Sequence, residues 1–70
     1  MTRYEKDRLL QTLQKLYTEV TDQKVKAKDR YDHYTQVKKG AMAAQARREI
    51  DYRIGQQDIL KVIEEVIKNA

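Results

Sequence analysis

Two stretches of the chain carry the same pattern of apolar positions. Over 58–70, DILKVIEEVIKNA places Ile59, Leu60, Val62, Ile63, Val66 and Ile67 within one arc of about 160° when wound at about 100° per residue. Lys61, Glu64, Glu65 and Lys68 fill the other side. Near the start, Leu9, Leu10, Leu13, Leu16 and Tyr17 repeat the spacing of Ile59, Leu60, Ile63, Val66 and Ile67. Each stretch reads as an amphipathic helix whose stripe must be buried against another element.

Residues 3–39 contain neither Pro nor Gly, and Thr2 followed by Glu5 has the spacing of a capping box. The pattern predicts a helix from Arg3 to Lys39, about 55 Å long at 1.5 Å per residue. Its stripe thins after Val20 and continues through Val25, Ala27, Tyr31, Tyr34 and Val37. Thr21 and Asp22 both suit an N-cap and mark a candidate break. Lys38-Lys39-Gly40 reads as the helix end, with cations at the negative end of the dipole and Gly40 in the left-handed position. AMAAQARRE over 41–49 is strongly helix-forming, although nothing before it caps well. Gly55, with Asp58 as an N-cap, marks a kink or short loop at 55–57. Ile50, Tyr52 and Ile54 alternate with the period of a strand, but Ile50 and Ile54 fit a helix equally well and the Ala-rich lead-in favours helix.

An antiparallel hairpin turning near residue 38 pairs Leu9 with Ile67, Leu10 with Val66, Leu13 with Ile63, Leu16 with Leu60 and Tyr17 with Ile59. It also sets Tyr31 and Tyr34 against Ala41, Ala43, Ala44 and Ala46, a large-to-small match that allows close helix approach. At mid-length, Gln23, Lys24 and Lys26 come level with Arg53, Gln56 and Gln57. These polar heads are expected to reach solvent or to pair at the surface, because unpaired charge is costly to bury. The expected fold is therefore all-α, a single domain over 1–70 built as a long antiparallel helical hairpin of coiled-coil type. One hairpin leaves its stripes half open, and the remaining apolar patch is large for a monomer. A homodimeric four-helix bundle is the simplest closure, with Leu9, Leu13, Leu16, Tyr17, Leu60, Ile63 and Ile67 at or near the subunit contact. Rop-type RNA-binding proteins have this architecture at this size, an analogy of form alone.

Composition narrows the chemistry. The chain has 70 residues, no Cys, Pro, Trp or Phe, and also no Ser. The missing Cys removes disulfides and thiolate metal sites and fits a reducing compartment. No apolar run approaches the roughly 18 residues of a membrane span, and no signal-peptide core follows Met1, so the expectation is a soluble cytoplasmic chain without a membrane partner. Asp29 and His33 stand four apart, but a single His in the chain reads as half of a solvated i,i+4 pair rather than a metal site. With no Ser or Cys nucleophile, no Gly-rich phosphate loop and Glu64-Glu65 pointing about 100° apart, the expectation is a protein without enzymatic activity, cofactor or small-molecule substrate.

Charge supplies the one functional lead. Charged residues make up 37% of the chain, with a net charge of +4 concentrated in its middle. Lys24, Lys26, Lys28, Arg30, Lys38 and Lys39 of the first helix, and Arg47, Arg48 and Arg53 of the second, are candidate phosphate contacts, with Tyr31 and Tyr34 interleaved. Asp22, Asp29, Asp32, Glu49 and Asp51 dilute that field, so the same set also reads as a solvated face whose long stems cover apolar surface. The leading expectation is a small helical adaptor that self-associates and binds a protein partner. The competing one is a nucleic-acid-binding helical dimer.

A further alternative comes from the tail IDYRIGQQDILKVIEEVI. With Ile50, Tyr52 and Ile54 as a strand and Asp58, Ile59, Val62 and Ile63 starting a helix, it resembles the end of small phage head-completion proteins. That resemblance implies a short hairpin of strands before the last helix and a role in phage morphogenesis. Its first strand would have to fall on the Ala-rich 41–46.

Overall fold

Thr2 opens the first helix with its side chain: Thr2 Oγ1 accepts a hydrogen bond from the Glu5 backbone N–H at 3.2 Å, satisfying a donor that the first turn leaves free. In the computed structural model, which describes residues 1–70, helix α1 runs from Arg3 to Gln36 and helix α2 from Gly40 to Lys68. The two pack side by side along their length as an antiparallel hairpin 53 Å long.

Neither candidate break is used. Thr21 and Asp22 lie within α1, where the Thr21 hydroxyl donates to the Tyr17 carbonyl at 2.8 Å and so bonds inside the helix instead of capping a new one. Gly55 lies within α2. Fifteen helical residues before it and thirteen after it supply enough helix-forming and packing preference to carry one unfavourable position, which costs about 1 kcal/mol. The strand implied over Ile50, Tyr52 and Ile54 by the resemblance to head-completion proteins is absent, because all three are helical and Ile50 packs inward.

The turn also differs from expectation. Lys38, not Gly40, takes the left-handed conformation, with φ 58°. The Lys39 N–H reaches back to the Tyr34 carbonyl at 2.9 Å, and the Lys38 N–H to the Thr35 carbonyl at 3.2 Å. This pair of bonds is a Schellman closure ending α1. Gly40 is instead the first residue of α2, whose Lys39 N-cap makes no side-chain bond. Ending α1 at Gln36 leaves just enough chain, 37–39, to reverse direction before the helix-forming 41–49 begins.

The half-buried and buried positions define a seam with alternating steps of three and four. On α1 it runs Lys6, Leu10, Leu13, Tyr17, Val20, Lys24, Ala27, Tyr31, Tyr34; on α2, Ala43, Ala46, Ile50, Arg53, Gln57, Leu60, Glu64, Ile67. That is the heptad repeat of a two-stranded coiled coil. Gln57 bonds to both Thr21 and Lys24. Stepping outward from that level, Tyr17 comes level with Leu60, Leu10 with Ile67, Tyr31 with Ala46 and Tyr34 with Ala43. The large-to-small match near the turn is therefore present, while the leucine pairing is shifted by one residue. The seam takes Leu10, Leu13, Tyr17, Leu60 and Ile67, and turns Leu9, Leu16, Ile59 and Ile63 outward.

The core so made is thin. Only 5 of 70 residues are buried, and the apolar ones are Ala27, Ala43, Ala46 and Ile67. No helix is long and apolar enough to cross a membrane.

Two backbone substitutions report on this geometry. A Cβ added at Gly55 meets nothing within 4 Å, so Gly55→Ala is expected to raise unfolding stability by about 1 kcal/mol. Lys38→Gly should do so by a similar amount, about 1 kcal/mol, by relieving the left-handed strain. Urea denaturation followed by circular dichroism measures both; a loss of stability in Lys38→Gly would show that the turn is closed differently.

Candidate interaction surface

Side chains are placed on this hairpin by heptad position. The seam occupies two positions in seven, and the positions beside it form two long flanks, one on each side of the helix pair.

At mid-length the seam becomes polar and closes on itself. The Lys24 ammonium donates to Gln57 Oε1 at 3.0 Å, Gln57 Nε2 donates to Thr21 Oγ1 at 2.8 Å, and Thr21 in turn donates to the Tyr17 carbonyl. Gln57 is 7% exposed. Gln23 and Lys26 reach solvent as expected, but at Gln57 the expectation of solvent or a surface pair is corrected: it is buried because a partner stands ready on each side of its amide, which removes most of the cost of desolvating it. Arg53 is held one turn away. Its Nη1 donates to Gln56 Oε1 at 2.8 Å, its guanidinium lies over the Tyr52 ring at 5.3 Å, and Glu49 is 3.8 Å away, while its buried Nε finds no partner.

One flank carries Leu16, Glu19 and Gln23 of α1 beside Gln56 and Ile59 of α2, which border the same grooves with Val20 and Leu60. Seven-residue steps extend this flank to Glu5, Leu9, Thr12, Lys26 and Arg30 on α1, and to Glu49, Ile63 and Val66 on α2. Toward the turn it is bridged by the Arg30–Glu49 ion pair. Toward the open end it is apolar and uncovered: Leu9 and Leu16 are each 42% exposed, Ile63 41%, Ile59 60% and Val66 65%. The opposite flank is mixed. Lys24, Lys28 and Arg47 stand around Val25, Tyr31, Ile50 and Ile54, with Asp32 among them, and Arg47 is 3.6 Å from Asp51.

The open end itself is clasped. The Lys6 ammonium donates to the Lys68 carbonyl at 2.7 Å, placing a cation at the negative end of the α2 dipole. The Glu64 carboxylate, 2.6 Å from Lys68 Nζ, hydrogen-bonds it and raises its pKa above the usual lysine value.

The sequence-derived candidates divide on this frame. Of the interface set, Leu13, Tyr17, Leu60 and Ile67 are largely taken up by the hairpin's own seam, and Leu9, Leu16 and Ile63 stand on the uncovered flank. The basic set does not share one face. Lys24 and Arg53 lie in the seam, Lys26 and Arg30 on the apolar-ended flank, Lys28 and Arg47 on the other, Arg48 on the back of α2, and Lys38 and Lys39 in the turn. Tyr31 and Tyr34 are half-buried seam residues. No group of three or more His, Asp or Glu side chains is placed to hold a metal ion. The buried hydrogen-bond relay was missed from sequence; its signal is that Lys24 and Gln57 fall on the same three-and-four spacing as the leucines.

Comparison with known proteins finds no matching family model, no matching curated protein and no matching solved structure.

Removing the relay should be felt in stability. Gln57→Ala is expected to lower it by about 1–3 kcal/mol, since it strips partners from two part-buried groups. Gln56→Ala, whose hydrogen bonds stay within α2, should stay within about 0.5 kcal/mol. Equal effects in urea titrations would mean that the amide of Gln57 does not carry the mid-length contact.

Proposed function

We propose that this chain is a non-enzymatic helical-hairpin interaction protein that associates with itself through the uncovered flank at its open end. The observation that carries this reading is the run of Leu9, Leu16, Ile59, Ile63 and Val66 beside a core of mostly alanine. Ordering a residue's backbone costs about 1–2 kcal/mol, and most large apolar side chains of the seam are only half-buried. Covering a Leu or Ile side chain fully is worth about 1.5–3 kcal/mol, so covering the flank would add apolar burial that the hairpin alone leaves unused. A second hairpin on that flank makes a four-helix bundle, the common way for paired amphipathic helices to close their stripes. The opposite flank, where Lys24, Lys28 and Arg47 surround apolar side chains, stays available to a protein partner in that arrangement.

Sedimentation equilibrium at micromolar concentration tests the reading, with circular dichroism on the same samples. The chain should be larger than a monomer. Ile59→Lys should abolish association. Val62→Lys, an equally exposed apolar position on the back of α2 (64% against 60% exposed), should leave it intact. A wild-type monomer that remains fully helical on dilution would overturn the proposal.

A further inference from the structure

The flank has an uneven order of apolar and charged positions, and that order selects how two copies can meet. Counted from the open end, α1 presents Glu5, Leu9, Thr12, Leu16, Glu19, Gln23 and Lys26 in turn. Alongside, α2 presents Val66, Ile63, Ile59 and Gln56. Glu5 and Lys26 are exposed and make no ion pair within the hairpin.

Three two-fold arrangements cover the apolar stretch. If the axis runs along the hairpin, α1 of one copy lies on α2 of the other at the same level. Glu19 is then pressed against the partner copy's isoleucine at position 59, an uncompensated charge on an apolar contact. If the copies run antiparallel and overlap fully, the apolar half of each meets the charged half of the other, and Leu9 comes level with arginine 30. If they run antiparallel but centred near Leu16, the apolar runs overlap, with Leu9 and Val66 at their edges level with the partner copy's glutamines at 23 and 56. Leu16 meets its own counterpart near the axis, Ile63 meets position 59, Thr12 meets Glu19, and Glu5 meets Lys26 twice over, once for each symmetry-related pair. Only this arrangement pairs Glu5 with Lys26 and sets Glu19 against a hydroxyl instead of an apolar side chain.

We infer that two copies of this chain dock antiparallel and staggered through their open halves, centred near Leu16 and locked by reciprocal Glu5–Lys26 pairs, so that the two turns project at opposite ends of an elongated dimer. The inference rests on the self-association proposed above. A staggered dimer leaves the Tyr–Ala half of each hairpin outside the contact, where close packing against alanine already serves it.

The absence of cysteine makes site-directed labelling direct. Ala41 is exposed in the first turn of α2, and Ala41→Cys carries a spin label at the turn end. From the helical rise, the staggered dimer separates the two labels by about 60 Å, full antiparallel overlap by about 50 Å, and the parallel arrangement by less than about 25 Å. Pulsed dipolar spectroscopy, run with sedimentation on the same sample, reads the separation. A distance near 60 Å supports the inference. A dimer at either shorter distance overturns the stagger and leaves self-association standing. A monomer overturns both.

Charge exchange gives an independent check. Glu5→Lys should weaken dimerisation about tenfold, because two pairs become repulsive, and Lys26→Glu should do the same. The double variant should return to within about threefold of the original. The two residues lie about 30 Å apart along α1, so a local effect on either helix turn would not be rescued by the other. Absence of rescue would overturn the pairing.

Discussion

The hydrogen bonds linking Lys24, Gln57 and Thr21 fix how far one helix can slide along the other. The seam on either side of them repeats every seven residues, and apolar contact alone would tolerate a slip of one heptad. A slip of one heptad puts Gln14 and Tyr17, or Lys28 and Tyr31, where Thr21 and Lys24 stand. Thr21 and Lys24 then lie about 10 Å along the axis from the Gln57 amide, and both bonds are broken. A single polar layer that specifies register at some cost in stability is a known device of coiled coils. Here it accounts for a buried glutamine in a hairpin that buries little else.

How much of this could be read from the residues depends on which force acted at each position. The helical hairpin, its Thr2 cap and the facing of tyrosines onto alanines follow from periodicity and size, both visible in the chain. The turn was misread because Gly40 is the better left-handed residue. The constraint that decided it was not local preference but the need to reverse direction before 41–49, so Lys38 accepts the strain. Thr21, Asp22 and Gly55 were read as break signals by their own propensities, and the continuous seam overrode them. The burial of Gln57 was illegible from composition, because a glutamine flanked by another looks like solvent-facing residue until its heptad position is compared with that of Lys24. The broad stripe of Leu9, Leu10, Leu13, Leu16 and Tyr17 hid its division into a seam and a flank, since a stripe wider than two positions in seven cannot all face one partner helix.

That division makes the two ends of the molecule physically different. Toward the turn, small residues let the backbones approach, the tyrosines fill the space over Ala43 and Ala46, and the Arg30–Glu49 pair spans the helices. Toward the open end, leucine and isoleucine exceed what one seam can take in. The only direct polar links there are at the last turn, where Lys6 meets the Lys68 carbonyl. The turn end is tied covalently as well as packed; the open end has its seam and the Lys6 clasp but no covalent tie. A lone hairpin would therefore loosen from its termini toward the relay at Gln57. The stretch most in need of a covering surface is the one whose outward side chains are best suited to bind one, so stability and association at the open end draw on the same residues.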